Sequence, residues 1–161
     1  MTALRQPLQE ILKGAHKIVV VGVGNSLRSD DGFGLLAAQL LLKKLPKREK
    51  VEILLGESAP ENLTGSIRKL KPSHVVLIDC AEMGLSVGSV KIIDPATISG
   101  VSASTHNLPL GLLLHYLEEE IKCKCFILGI QPKSTTFGGK MSPQVSKALK
   151  VVVKEMLAVL C

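Results

Sequence analysis

Asp30 and Asp31 stand side by side in GVGNSLRSDDGFG, residues 22 to 34, between the apolar runs KIVVV and LLAAQLLL. Asp79 closes the apolar run HVVLID, and His106 sits in STHN. Asp31, Asp79 and His106 together are two carboxylates and an imidazole. Such a set suits zinc or nickel and leaves positions for a substrate. The same carboxylates could act as general base. Their spacing is long, so no local motif holds them, and only the fold can bring them together. Each also has a plain structural use. Asp30 or Asp31 could cap the helix that follows, and His106 could precede a helix as a cap residue. Asp79 is harder to explain that way, because an unpaired carboxylate at the end of a buried strand is costly.

Other chemistries fit the residues less well. A dinucleotide fingerprint needs a third glycine where Leu27 stands, and two acids at a helix N-terminus repel phosphate. No Gly-Lys-Ser/Thr follows, so the stretch is not a P-loop. No G-x-S-x-G elbow is present. Cys80 adjoins Asp79, but side chains alternate along a strand and the two point to opposite faces. The four cysteines, Cys80, Cys123, Cys125 and Cys161, contain no CxxC pair, which argues against a zinc knuckle or thioredoxin motif. Cys123 and Cys125 share one strand face and read as core.

The elements that must position these residues follow from apolar runs and breakers. Residues 4 to 14 read as a short helix ending at Gly14. Strands are expected at 17 to 23, 50 to 55, 74 to 79, 89 to 94 and 123 to 130. Helices are expected at 32 to 44, from the Ser58–Glu61 capping-box pattern to about Leu70, from about Asn107 to Ile121, and from the Ser142-Pro143 start to Leu160. Most of the strands lack polar alternation, so both sheet faces are covered. Residues 89 to 94 alternate and follow their predecessor too closely for a helical crossover, which predicts an antiparallel strand near an edge. The expected fold is α/β, a three-layer sandwich with a mostly parallel five-stranded sheet, one antiparallel strand and helices on both faces. Functional groups in such a sheet collect beyond the C-terminal strand ends. There lie Gly24, Asn25, Asp30 and Asp31 after the first strand, Glu57 and Ser58 after the second, Asp79 after the third, and Gln131 after the last.

The chain has 161 residues, the size of one domain, and no linker or repeat. Its net charge is +6, but the basic residues are spread along the sequence as on a solvated surface. With one Tyr, three Phe and no Trp, stacking platforms for single-stranded nucleic acid are hard to assemble. No signal peptide or run of transmembrane length is visible. A cytoplasmic protein with reduced thiols is expected, with no nucleic-acid or membrane partner.

GVGNSLRSDDGFG resembles the signature G-x-G-N-x-L-x-x-D-[DE]-G-x-G of the hydrogenase maturation endopeptidases. GESAPEN, LIDC, MGLSVGSVKIIDP, STHNLP and LGIQP resemble the branch that processes energy-converting, formate-hydrogenlyase-type hydrogenases. The resemblance runs from Ile18 onward. It implies a single protease domain over residues 1–161, with residues 1–15 as an N-terminal helical extension. It implies an endopeptidase that removes the C-terminal extension of a nickel–iron hydrogenase large-subunit precursor after nickel insertion. Nickel would be supplied by the substrate, with no organic cofactor, and would serve as the recognition signal. The family's metal-contacting positions match Asp31, Asp79 and His106, with Asp31 and Asp79 as catalytic candidates of aspartic or metal-assisted type. From their place at the strand ends, Gly24, Asn25, Asp30 and Glu57 are the substrate-contact candidates: Asn25 and the amides of Gly22 to Gly24 could position substrate or stabilise an oxyanion, and Glu57 could shape the cleft, contact a basic substrate residue or do nothing. One departure is Leu55-Gly56-Glu57, where the family often has Asp-Gly-Gly. A stand-alone metal-dependent hydrolase of peptides or small molecules is the rival reading.

Overall fold

The computed structural model describes residues 2–97 and 110–161. Its strands are β1 (Ile18–Val23), β2 (Val51–Glu57), β3 (His74–Cys80), β4 (Val90–Ile93) and β5 (Lys124–Ile130). Its α-helices are α1 (Thr2–Ile11), α2 (Phe33–Lys44), α3 (Thr64–Leu70), α4 (Leu110–Ile121) and α5 (Pro143–Leu160). The sheet order is β2-β1-β3-β5-β4. β1, β2, β3 and β5 are parallel, and β4 pairs antiparallel with β5 at the edge. The mixed sheet is the one expected from the sequence, including its antiparallel edge.

Alternation along the strands divides the core in two. Val20, Val76, Ile78, Cys80, Leu128 and Ile130 face one way and pack under α1, α2 and α5. Val19, Val21, Val75, Leu77, Cys125 and Ile127 face the other way, under α3 and α4. Both sets are buried, which is why β1 and β3 carry no polar alternation. Cys123 and Cys125 lie in the second core, with sulfurs 3.6 Å apart.

Helix α1 belongs to the first core. Leu4, Leu8 and Leu12 are buried in it. Arg5 donates to Glu155 of α5 through Nε at 2.7 Å and Nη2 at 3.2 Å. The N-terminal segment is therefore integrated into the sandwich.

Two helix starts differ from expectation. The Ser58–Glu61 pattern makes no capping box. Glu57 is in the left-handed region at φ 52°, which turns the chain so that Ala59, not Ser58, precedes a 3-10 turn over Pro60–Leu63, and α3 begins only at Thr64. Ser142 does precede α5, and its carbonyl accepts the first helical bond from Ser146 N–H at 2.9 Å. Its hydroxyl, however, is used elsewhere, as described below. The expected start of α4 at Asn107, and the loop before it, lie outside the described residues up to Leu110.

Candidate active site at the C-terminal sheet edge

β1 and β3 are neighbours, but the chain leaves β1 toward β2 and leaves β3 toward the other edge. In an open α/β sheet, the crevice beyond the strand ends at such a switch point is where ligands bind. The segment after β1 brings Asp31 there, and the last turn of β3 brings Asp79.

Glycines set how closely the parts approach. The backbone of Gly34 in the first turn of α2 lies against the carbonyls of Val23 and Ile78, and a Cβ there would overlap both. Gly24 has φ +146°, and a Cβ on it would overlap the carbonyl of Asp31. α2 is thus pressed onto the ends of β1 and β3. Asp31 precedes that contact in sequence by one turn, and Asp79 follows Ile78 directly. The glycines of the opening stretch serve helix-to-strand contact rather than a phosphate cradle.

The loop fixes the first carboxylate from within. Asn25 Oδ1 accepts Leu27 N–H at 2.9 Å, an Asx turn. Asn25 N–H donates to Asp31 Oδ2 at 3.1 Å. Asp31 is buried within a 3-10 turn over Ser29–Gly32. Asp79 is fully buried, and its Oδ1 accepts Cys80 N–H at 2.8 Å. Each carboxylate therefore has one oxygen oriented by a backbone amide. The Cys80 thiol reports on their closeness: burial pushes its pKa up, and the charges of Asp79, Asp31, Asp30 and Glu82 push it further. A thiol held protonated in this way is unsuited to nucleophilic attack.

Asp30 does not cap a helix. Gly32 precedes α2, and no side chain caps either it or the 3-10 turn. Asp30 is buried, and its carboxylate accepts four bonds from the segment after β5. Oδ2 takes Lys133 N–H at 2.8 Å, Ser134 N–H at 3.3 Å and the Ser142 hydroxyl at 3.0 Å; Oδ1 takes Ser142 N–H at 2.7 Å. Its own N–H donates to Ser134 O at 3.1 Å. Two further ties join the same segments: Ser29 Oγ donates to Thr136 O at 2.6 Å, and Gly138 N–H to Leu27 O at 2.8 Å. Asp30 is a latch between two loops, where a substrate contact or a cap was expected. No local pattern signals this, since its partners lie more than a hundred residues away and Ser142-Pro143 reads as a helix start.

The remaining expected residues are placed as follows. Gly24 N–H is taken by Glu57 O at 2.7 Å, so it is not open to a substrate oxyanion. Asn25 is half-buried beside Asp31, and the Glu57 side chain is exposed at the end of β2. Gln131 is buried and structural: Oε1 accepts Met83 N–H and Leu85 N–H, and Nε2 donates to Glu82 Oε1, tying the β3–β4 segment to β5. His106 lies outside the described residues. Among the described residues, no three His, Cys, Asp or Glu side chains group as a metal cluster, and no helix is long and apolar enough to cross a membrane.

The family model for hydrogenase maturation proteases of the HycI type matches residues 36–159. The chain belongs to the hydrogenase maturation proteases. That match begins after the Gly22–Gly34 stretch and takes in the other stretches of the resemblance, from Gly56 to Pro132. The chain is 37% identical over 139 residues to the hydrogenase 3 maturation protease of Escherichia coli, covering 86% of this chain and 87% of that one. The crystal structure of a [NiFe] hydrogenase maturation protease HycI from Thermococcus kodakarensis KOD1 superposes with a TM-score of 0.89 at 33% identity, covering 96% of this chain and 98% of that one. The hydrogenase maturating endopeptidase HybD from E. coli gives a TM-score of 0.75 at 26% identity, over 89% and 91% of the two chains. The protease carries Asp31 and Asp79, both buried, beyond and at the ends of the neighbouring strands β1 and β3.

Proposed function

We propose that this protease removes the C-terminal extension of a nickel–iron hydrogenase large-subunit precursor, and that it recognises nickel already held in that precursor. The observation that carries the reading is the placement of Asp31 and Asp79, two buried carboxylates at one switch-point crevice, each with one oxygen oriented by a backbone amide. Carboxylate oxygens together with the imidazole of His106 form an incomplete donor set for a borderline divalent ion. Nickel on the precursor completes it, and an unloaded precursor brings no metal for these donors to bind. The nickel is part of the substrate, and the protease needs no organic cofactor.

In the hydrolytic step, water adds to the scissile carbonyl while a carboxylate of the Asp31–Asp79 pair takes its proton and returns it to the departing amine. Nickel held by the precursor beside Asp31, Asp79 and His106 would supply Lewis-acid chemistry there. Asn25, whose backbone orients Asp31, and Glu57, exposed at the end of the neighbouring strand, border the approach of the peptide. The reaction consumes a large-subunit precursor in the compartment where nickel is inserted, which we take to be the cytoplasm.

The test is mass spectrometry of a nickel-loaded precursor incubated with wild type, Asp31→Asn, Asp79→Asn and His106→Ala. Loss of a single C-terminal fragment with wild type, and its absence with the variants, is the expected result. Internal cleavage, or full activity in the variants, would overturn the assignment.

A further inference from the structure

Two large apolar side chains, Leu27 and Phe137, stand in solvent at the candidate site, 61% and 66% exposed. They come from different loops, one after β1 and one after β5. The Gly138 N–H to Leu27 O bond joins the two loops at these residues. The Asp30 latch and the Ser29–Thr136 bond hold the same segments from below. Exposed apolar residues occurring singly are ordinary. Two on loops that a backbone hydrogen bond ties together at these positions are preorganised for contact. Leu85, in the segment held by Gln131, and Leu55, near the end of β2, are also exposed at this edge of the sheet.

Charge narrows what fits. Arg28 adjoins Leu27, and Lys133 and Lys140 flank Phe137 in the latched loop; all three are exposed. Among the described residues the ion pair is Arg5–Glu155, so no carboxylate there pairs with these cations. An apolar pair ringed by unpaired cations complements a segment that carries an apolar side chain beside carboxylates. Leu27 shares its loop with Asp31, so whatever docks on the pair lies next to the carboxylates.

We propose that Leu27 and Phe137, with Arg28, Lys133 and Lys140 around them, form a docking surface for an acidic, apolar segment of the precursor polypeptide. This rests on the reading of the substrate given above. The surface would select the protein that carries the metal, while the carboxylates select for the metal itself. Leu27 and Phe137 set affinity and take no part in bond cleavage.

The experiment measures binding and cleavage separately. The nickel-loaded precursor is titrated against wild type, Leu27→Ser/Phe137→Ser, and Lys133→Glu/Lys140→Glu, and cleavage is followed by mass spectrometry. All altered side chains are exposed, and melting curves check that the variants fold. The expected result is weaker binding and a KM raised about tenfold or more, as for truncated anchor residues, with kcat within about twofold. The salt dependence of binding should be smaller in the lysine variant. Unchanged binding and KM in both variants would overturn the proposal, and so would a loss confined to kcat. Loss of self-association in the apolar variant at unchanged KM would assign the surface to a second copy of the chain and overturn it as well. If wild type binds the precursor through this surface without cleaving it, the docking stands and the cleavage reading fails.

Discussion

Adjacent acids divide the work at the opening loop. Asp30 accepts four hydrogen bonds from the segment after β5, whereas Asp31 is oriented by Asn25 at the crevice. Asp30→Ala leaves buried donors without acceptors, each costly. A loss of about 3 kcal/mol in unfolding free energy is expected, read as a lower denaturant midpoint at unchanged slope. Asp31→Asn and Asp79→Asn keep the shape of the side chain and remove the charge. They should cut cleavage by about 10²-fold or more while the folded protein survives, measured by turnover and circular dichroism on the same samples. The sequence showed that two acids belong here, but not which of them does which job. The latch needs partners from the far end of the chain, and no local pattern encodes them. The bond made by Gly24 N–H is hidden from the sequence for a similar reason: Glu57 O takes it across the strand pair, a bond that depends on register.

At the scale of elements, periodicity predicted strands and helices well because both sheet faces are covered. β1 and β3 read as unbroken apolar runs, and β4, half-exposed at the edge, kept its alternation. Helix starts were less legible. Ser58 and Glu61 have capping-box spacing, but the left-handed Glu57 shifts the start of α3 to Thr64. The glycines were visible as a motif, yet their purpose appeared only from packing. Gly34→Ala places a methyl group against two backbone carbonyls. It should cost about 2 kcal/mol or more and lower activity by moving α2 off the strand ends. Gly65→Ala is the control: it lies in α3 with nothing within 4 Å of an added Cβ. It should stabilise by about 0.5 kcal/mol, with both changes measured by denaturant unfolding.

For the whole molecule, stability depends on pH through groups far from the active edge. His74 is buried at the start of β3, and its pKa lies below the ordinary 6.5, first through burial and then through the charges of Lys124 and His16. The folded state resists its protonation, so this contribution is complete above about pH 6.5 and is lost as pH falls through the lowered folded value. The hydrogen bond from Arg5 lowers the pKa of Glu155 below 4.5. That contribution is present above this value and lost below it. Unfolding midpoints should therefore fall from about pH 7 to about pH 5, and fall less in His74→Gln. A further fall below about pH 4.5 should be smaller in Glu155→Gln.

The buried carboxylates lie at a switch point that the sheet order creates, and the loops around it present an apolar, cationic rim. Recognition of nickel by the carboxylates is decided by the affinity of the protease for its large-subunit precursor with and without nickel, by calorimetric titration at one salt concentration. Nickel-loaded precursor should bind about tenfold tighter or more, and Asp31→Asn or Asp79→Asn should erase that difference. Equal affinity for the loaded and empty precursor, or a difference that survives both substitutions, would contradict recognition of the metal by these carboxylates.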